Sequence, residues 1–80
     1  MDRRTSQIPR QHLQRLLREV RLKAGLRQTD LAKKLKKPQS FVSKYESGER
    51  RLDLIELRQV CDALGIALEE LVRRFEGSLR

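Results

Sequence analysis

Apolar side chains recur along this chain at helical spacing, in short runs, and most of the runs stop at a glycine. Leu13, Leu16, Leu17, Val20 and Ala24 are separated by 3, 1, 3 and 4 residues, and Gly25 follows at once. That period puts them on one face of an amphipathic helix, and Gly25 closes it. Pro9 suits the first turn of that helix. Leu31, Ala32 and Leu35 mark the inner face of a second, short helix from Gln28 to Leu35. Lys36 and Lys37 make a tight turn. Pro38 opens a third helix that runs to about Ser47 and ends at Gly48, with Val42 and Tyr45 facing a core. Asp53 with Glu56 three residues later is a near capping box, Asp standing where Ser or Thr is usual. It starts a fourth helix with Leu54, Leu57, Cys61 and Leu64 inward, stopped by Gly65. A fifth follows, with Leu68, Leu71, Val72 and Phe75 inward. No segment reads as a strand or a repeat. The expected fold is all-α: a compact bundle of five short helices around one core.

Eighty residues make one domain, divided by the pattern into a basic flexible arm (1–8), a helical domain (9–76) and a C-terminal tail (77–80). A chain this small buries only about 60–65% of its unfolded surface, so a partner copy would be a natural source of stability. Val72, Phe75 and Leu79 exceed what a small core needs; they are either buried or part of a dimer interface. The single Cys61 excludes an internal disulfide and any multi-cysteine metal site, and it fits a reducing compartment. Cys61 itself sits at a core spacing. His12 has no Cys or His neighbour and reads as a surface histidine. No Gly-rich phosphate loop, metal-ligand cluster or nucleophile–histidine pattern is present, so no catalytic residue, metal or cofactor is expected. Apolar stretches fall short of the roughly 18 residues that span a bilayer, and a soluble, cytoplasmic protein is expected.

The net charge of +8 is unevenly spread. Residues 1–27 carry eight Lys/Arg against two Asp/Glu, residues 28–50 six against three, and residues 51–80 five against six. A basic front and a near-neutral back imply a polyanion on one side, with nucleic acid ahead of an anionic membrane. The third helix adds a sharper sign. Gln39, Ser40, Ser43, Lys44 and Ser47 lie at offsets 0, 1, 4, 5 and 8, one continuous polar stripe on a helix. It is rich in short hydrogen-bonding groups and lacks the long Glu/Lys mixture of a solvated face.

Two short helices joined by a tight turn, the second with a polar outer stripe, describe a helix-turn-helix. The run LREVRLKAGLRQTDLAKKLKKPQSFVSKYESGERRLDLIELRQVCDALGIALEEL, Leu17 to Leu71, resembles the Cro/C1-type (XRE) helix-turn-helix domain of phage repressors and bacterial regulators, a lambda-repressor-like fold. The resemblance rests on GLRQTDLA, SFVSKYESGER and LIELRQVCDALGI in one order and spacing. It implies that residues 39–47 are a recognition helix lying in the major groove of double-stranded DNA. The side chains suit that role: Gln39 can exchange two hydrogen bonds with adenine, Lys44 can donate to guanine, and Ser40 and Ser43 fit several bases. Phosphate contacts are expected from Gln28, where the second helix begins, and from Ser47, Arg50 and Arg51 beyond the recognition helix. Phe41, at the edge of the stripe, can cover a thymine methyl, lie against the sugar-phosphate, or shield the turn. The family pattern further implies an Arg21–Glu46 ion pair joining helices one and three.

Three positions depart from that pattern. Arg27 and Pro38 stand where the family usually has a Ser or Thr helix cap; Pro38 can instead be the first helical residue. Lys36 stands where the turn often has Gly, so a left-handed backbone there would cost about 1 kcal/mol. As partners, the reading gives a palindromic operator bound by a homodimer. The alternative is an antitoxin or accessory DNA-binding subunit whose back surface holds a second protein.

Overall fold

The structure, a computed structural model, describes residues 3–80. Five helices follow in order: α1 (Arg3–Lys23), α2 (Gln28–Leu35), α3 (Gln39–Ser47), α4 (Leu54–Leu64) and α5 (Leu68–Ser78). The described residues contain no strand. α3 packs on α2 and α1, α2 also packs on α4, and α5 closes the bundle against α1 and α4. Leu17, Val20, Leu31, Ala32, Val42, Tyr45, Val60, Cys61, Leu64 and Leu71 form the buried core. Every helix contributes to it, which is why no helix could be removed without opening the whole.

The helix ends follow from local chemistry. Gly25 and Gly65 take left-handed backbones, with φ of 74° and 77°. In each case the next two N–H groups fold back on the helix: Gly25 and Leu26 onto Leu22 and Arg21, Gly65 and Ile66 onto Asp62 and Cys61. This satisfies carbonyls that the helix end leaves bare. Lys36 adopts the same conformation at φ 57°, with Lys36 and Lys37 donating to Lys33 and Ala32. A lysine thus holds the glycine position of the turn. At α4 the capping box is complete: the Glu56 N–H donates to Asp53 Oδ1 at 2.7 Å, and the Asp53 N–H donates to Glu56 Oε1 at 3.0 Å.

α2 lacks a side-chain acceptor at Arg27 and is capped from the other direction. The Arg27 N–H and guanidinium both donate to Asp30, at 2.9 and 3.1 Å. That guanidinium, with the backbone N–H, holds the Asp30 carboxyl down to about 2.

Several expectations differ from the structure. α1 begins at Arg3, within the segment expected as an arm; Met1 and Asp2 lie outside the described residues. Pro9 therefore sits inside α1, where it has no N–H to give the helical ladder. Pro38 is the N-cap of α3, extended at ψ 154°, and the first helical residue is Gln39. α5 runs through Gly77 to Ser78, so the tail shrinks to two residues; Ser78 Oγ donates to the Phe75 carbonyl at 2.7 Å in its last turn.

Leu54, expected inward, is 65% exposed, as is Ile55. Both lie in the first turn of α4. Val72 and Leu79 also remain exposed, while Phe75 is half-buried.

Candidate functional site

The polar stripe of α3 lies on the surface as its spacing requires. Gln39, Ser40, Lys44 and Ser47 are exposed and Ser43 is half-buried, while Val42 and Tyr45 on the opposite face are buried. Lys44 makes no ion pair among the described residues, so its ammonium is available to a ligand. Ser47 folds back, its Oγ donating to the Lys44 carbonyl at 3.1 Å.

α3 is tied to α1 and α2 through a chain of side chains that runs from Glu46 in its last turn to Gln39 at its start. Arg21 Nε and Nη2 donate to Glu46 at 2.7 and 3.0 Å, and Arg21 Nη1 donates to the Leu26 carbonyl at 2.8 Å. Both side chains of this pair are almost fully buried. The Glu46 hydrogen bond raises the Arg21 guanidinium above its ordinary value. Gln28 Nε2 donates to Glu46 Oε1 at 3.1 Å, and Gln39 Nε2 donates to Gln28 Oε1 at 2.9 Å.

The polarity of this relay is not free. A carboxylate can only accept, so it forces the amide nitrogen of Gln28 inward and its oxygen toward Gln39. Gln39 must then turn its own nitrogen to Gln28. What remains on Gln39 is one N–H and one carbonyl oxygen, the pair an adenine edge takes at N7 and N6. Gln28 also keeps one N–H, directed from the first residue of α2, where bare backbone N–H groups favour an anion. The two glutamines thus hold each other in their candidate roles.

A second cluster ties α3 to the start of α4. The Arg50 N–H donates to the Lys44 carbonyl at 3.2 Å, beyond the left-handed Gly48. Its guanidinium forms a bidentate pair with Glu56, at 3.2 and 2.7 Å, and also donates to the Arg51 carbonyl at 3.0 Å. The guanidinium carbon lies 4.7 Å from the Phe41 ring centroid. Lys37 Nζ is 5.7 Å from the same centroid, and Phe41 meets Tyr45 edge-on at 5.7 Å. Hydrogen bonds from Arg50 and from the Asp53 backbone hold the Glu56 carboxyl down to about 2. Glu56 therefore serves the α4 cap and the Arg50 guanidinium at once. The sequence carries the capping half of that role; nothing in its periodicity links Arg50 to a carboxylate six residues away across a loop.

Of the expected phosphate contacts, Arg51 is exposed with its side chain unengaged among the described residues, whereas Arg50 is held by Glu56 and Phe41. Lys36 and Lys37 in the turn are exposed as well. No group of three or more His, Cys, Asp and Glu side chains that could hold a metal occurs among the described residues. No helix among them is long and apolar enough to cross a membrane.

A helix-turn-helix family model matches residues 17–71. Among solved structures, an XRE-family like protein from Pseudomonas syringae pv. tomato str. DC3000 is 40% identical. That match covers 99% of this chain and 100% of the other, with a TM-score of 0.87. The clp gene regulator ClgR from C. glutamicum is 26% identical over 90% of this chain and 92% of its own, with a TM-score of 0.79. The restriction-modification controller protein C.Esp1396I shares the fold, with a TM-score of 0.82 at 20% identity over 89% of this chain and 92% of its own. Among curated proteins none matches this sequence.

Proposed function

On the premise that this chain belongs to the XRE family of helix-turn-helix DNA-binding regulators, we propose that it reads a specific, two-fold-symmetric DNA site as a homodimer, with α3 in the major groove. The observation that carries this reading is the oriented relay from Arg21 through Glu46 and Gln28 to Gln39. A solvated helix face has no need of a glutamine whose amide direction is set by a buried ion pair.

In this reading Gln39, Ser40, Ser43 and Lys44 meet base edges, each good contact contributing about 1–3 kcal/mol of discrimination. Gln28, Ser47 and Arg51 contact phosphates, which position the protein without carrying sequence information. Two copies would place their α3 helices about 34 Å apart, one turn of DNA. The exposed Leu54, Ile55, Val72 and Leu79 offer apolar surface for such pairing. Arg21 and Glu46 act one step back, by aiming the glutamines.

The test is selection from random duplex DNA at about physiological salt, where phosphate contacts alone give weak binding. A two-fold-symmetric site is expected in the bound pool, and Lys44→Ala should relax the same positions in each half-site. A pool without sequence preference would overturn the reading and leave specificity to a partner protein, as an accessory subunit would require.

A further inference from the structure

Arg50 stands where a phosphate-binding arginine is expected, yet both terminal nitrogens of its guanidinium are already engaged. Glu56 takes both terminal nitrogens, the Arg51 carbonyl takes a further bond, and the Phe41 ring covers one face of the guanidinium. Its backbone N–H meanwhile closes α3 by donating to the carbonyl of Lys44, a candidate base reader. Phe41 in turn touches Tyr45, which is 2% exposed and part of the core. A continuous path therefore runs from the N-cap of α4 through Glu56, Arg50 and Phe41 into the core face of α3.

We propose that Arg50 and Glu56 are positioning residues for base reading: they clamp the C-terminal end of α3 against α4, and Arg51 alone makes the phosphate contact of this loop. The inference rests on the DNA-reading role given above. It adds a second anchor to the first, so that α3 is held on two sides, by Glu46 and Gln28 toward α1 and α2 and by Glu56 and Arg50 toward α4. Three features favour the clamp over a backbone contact. The pair is bidentate, the geometry in which arginine is most tightly held by a carboxylate. The carboxylate is itself fixed by the α4 cap and cannot follow Arg50 toward DNA. Only 39% of the Arg50 side chain is exposed, whereas Arg51, next in sequence, is exposed and has no competing partner among the described residues.

The two roles give opposite signs for one substitution. Were Arg50 a phosphate contact, Glu56→Gln would remove a competing negative charge and tighten binding to all DNA. In the clamp, the same change loosens α3 and weakens only the specific complex. The experiment measures affinity of wild type, Arg50→Ala, Glu56→Gln, the double variant and Arg51→Ala for the selected site and for a random duplex, across a salt series. Failure of the wild type to prefer any site would count against the DNA-reading role, not against the clamp, which is then read from the stability coupling of the two residues.

Expected for the clamp is a loss of about tenfold or more in specific affinity for both Arg50→Ala and Glu56→Gln, the size of a weakened base contact. The double variant should be no worse than either. Random-duplex binding and salt slope should be unchanged in both. Arg51→Ala should instead flatten the salt slope by about 0.9 per protomer and weaken all sequences alike. Phe41→Leu, which keeps the site apolar but removes the ring face, should reproduce the Arg50→Ala profile if either variant at Glu56 fails to fold. Tighter binding by Glu56→Gln, a flatter salt slope for Arg50→Ala, or unchanged specific affinity in both would overturn the clamp.

Discussion

Removing Glu46 is the sharpest test of how the recognition face is held. Its carboxylate accepts from Arg21 Nε and Nη2 and from Gln28 Nε2, and only 5% of its side chain is exposed. In Glu46→Ala the Arg21 guanidinium, with a side chain 7% exposed, keeps only the Leu26 carbonyl. A buried charge stripped of its partner costs about 3–5 kcal/mol. A domain of this size has about 4–12 kcal/mol in total, so a large share of the stability is at stake. At about 4–8 °C per kcal/mol for a small domain, the melting temperature should fall by roughly 12–40 °C, read by helical circular dichroism.

The companion variants separate charge from contact. Arg21→Met with Glu46→Leu replaces the pair by apolar groups, and such replacements are close to neutral or stabilising, within about 1–4 kcal/mol. The double variant should therefore melt near the wild type, giving a coupling of at least about 2 kcal/mol in the cycle. Folded as it is, it should still read DNA poorly, because Gln28 has lost the acceptor that orients it and Gln39. A loss below about 1 kcal/mol for Glu46→Ala, or a coupling of only a few tenths, would refute the argument.

Three further outcomes follow from single features. Lys36→Gly should raise stability by about 0.5–1 kcal/mol in urea unfolding, since glycine avoids the left-handed penalty that Lys36 carries at φ 57°. Tyr45→Phe should be neutral or stabilising by up to about 1 kcal/mol, because the buried Tyr45 hydroxyl finds no partner among the described residues. Glu56 is held at about 2, below its ordinary value of 4.5, so its contribution is fully present above pH 4.5 and is lost as pH falls through 2. Glu56→Gln should accordingly flatten that part of the acid limb in a stability–pH series.

Much of this was legible before the structure. Leucine spacing and the glycines at 25, 48 and 65 located the four later helices closely, because period and helix ends are local properties of sequence. The outward stripe of α3 was legible for the same reason. Leu54 shows where periodicity stops: it has the right spacing but stays exposed, and spacing says nothing about the reach of other helices. The N-terminal turns of α1 were hidden for the opposite reason, having helix-forming residues without an apolar period. The Arg21–Glu46 pair was foreseen only through the family pattern. The Arg50–Glu56 clamp was not foreseen at all, since the capping signature had already accounted for Glu56.

Cys61 gives the molecule a built-in clock. It is the single thiol of a chain that has no tryptophan, it is 0% exposed on the core side of α4, and burial pushes it up to about 11. A thiol reagent can reach it only when α4 leaves the core, so the alkylation rate counts openings of the fold rather than encounters with its surface. Bound DNA that stabilises the fold should slow that reaction by the same factor. Site recognition is then timed from inside the protein, with no label on either partner.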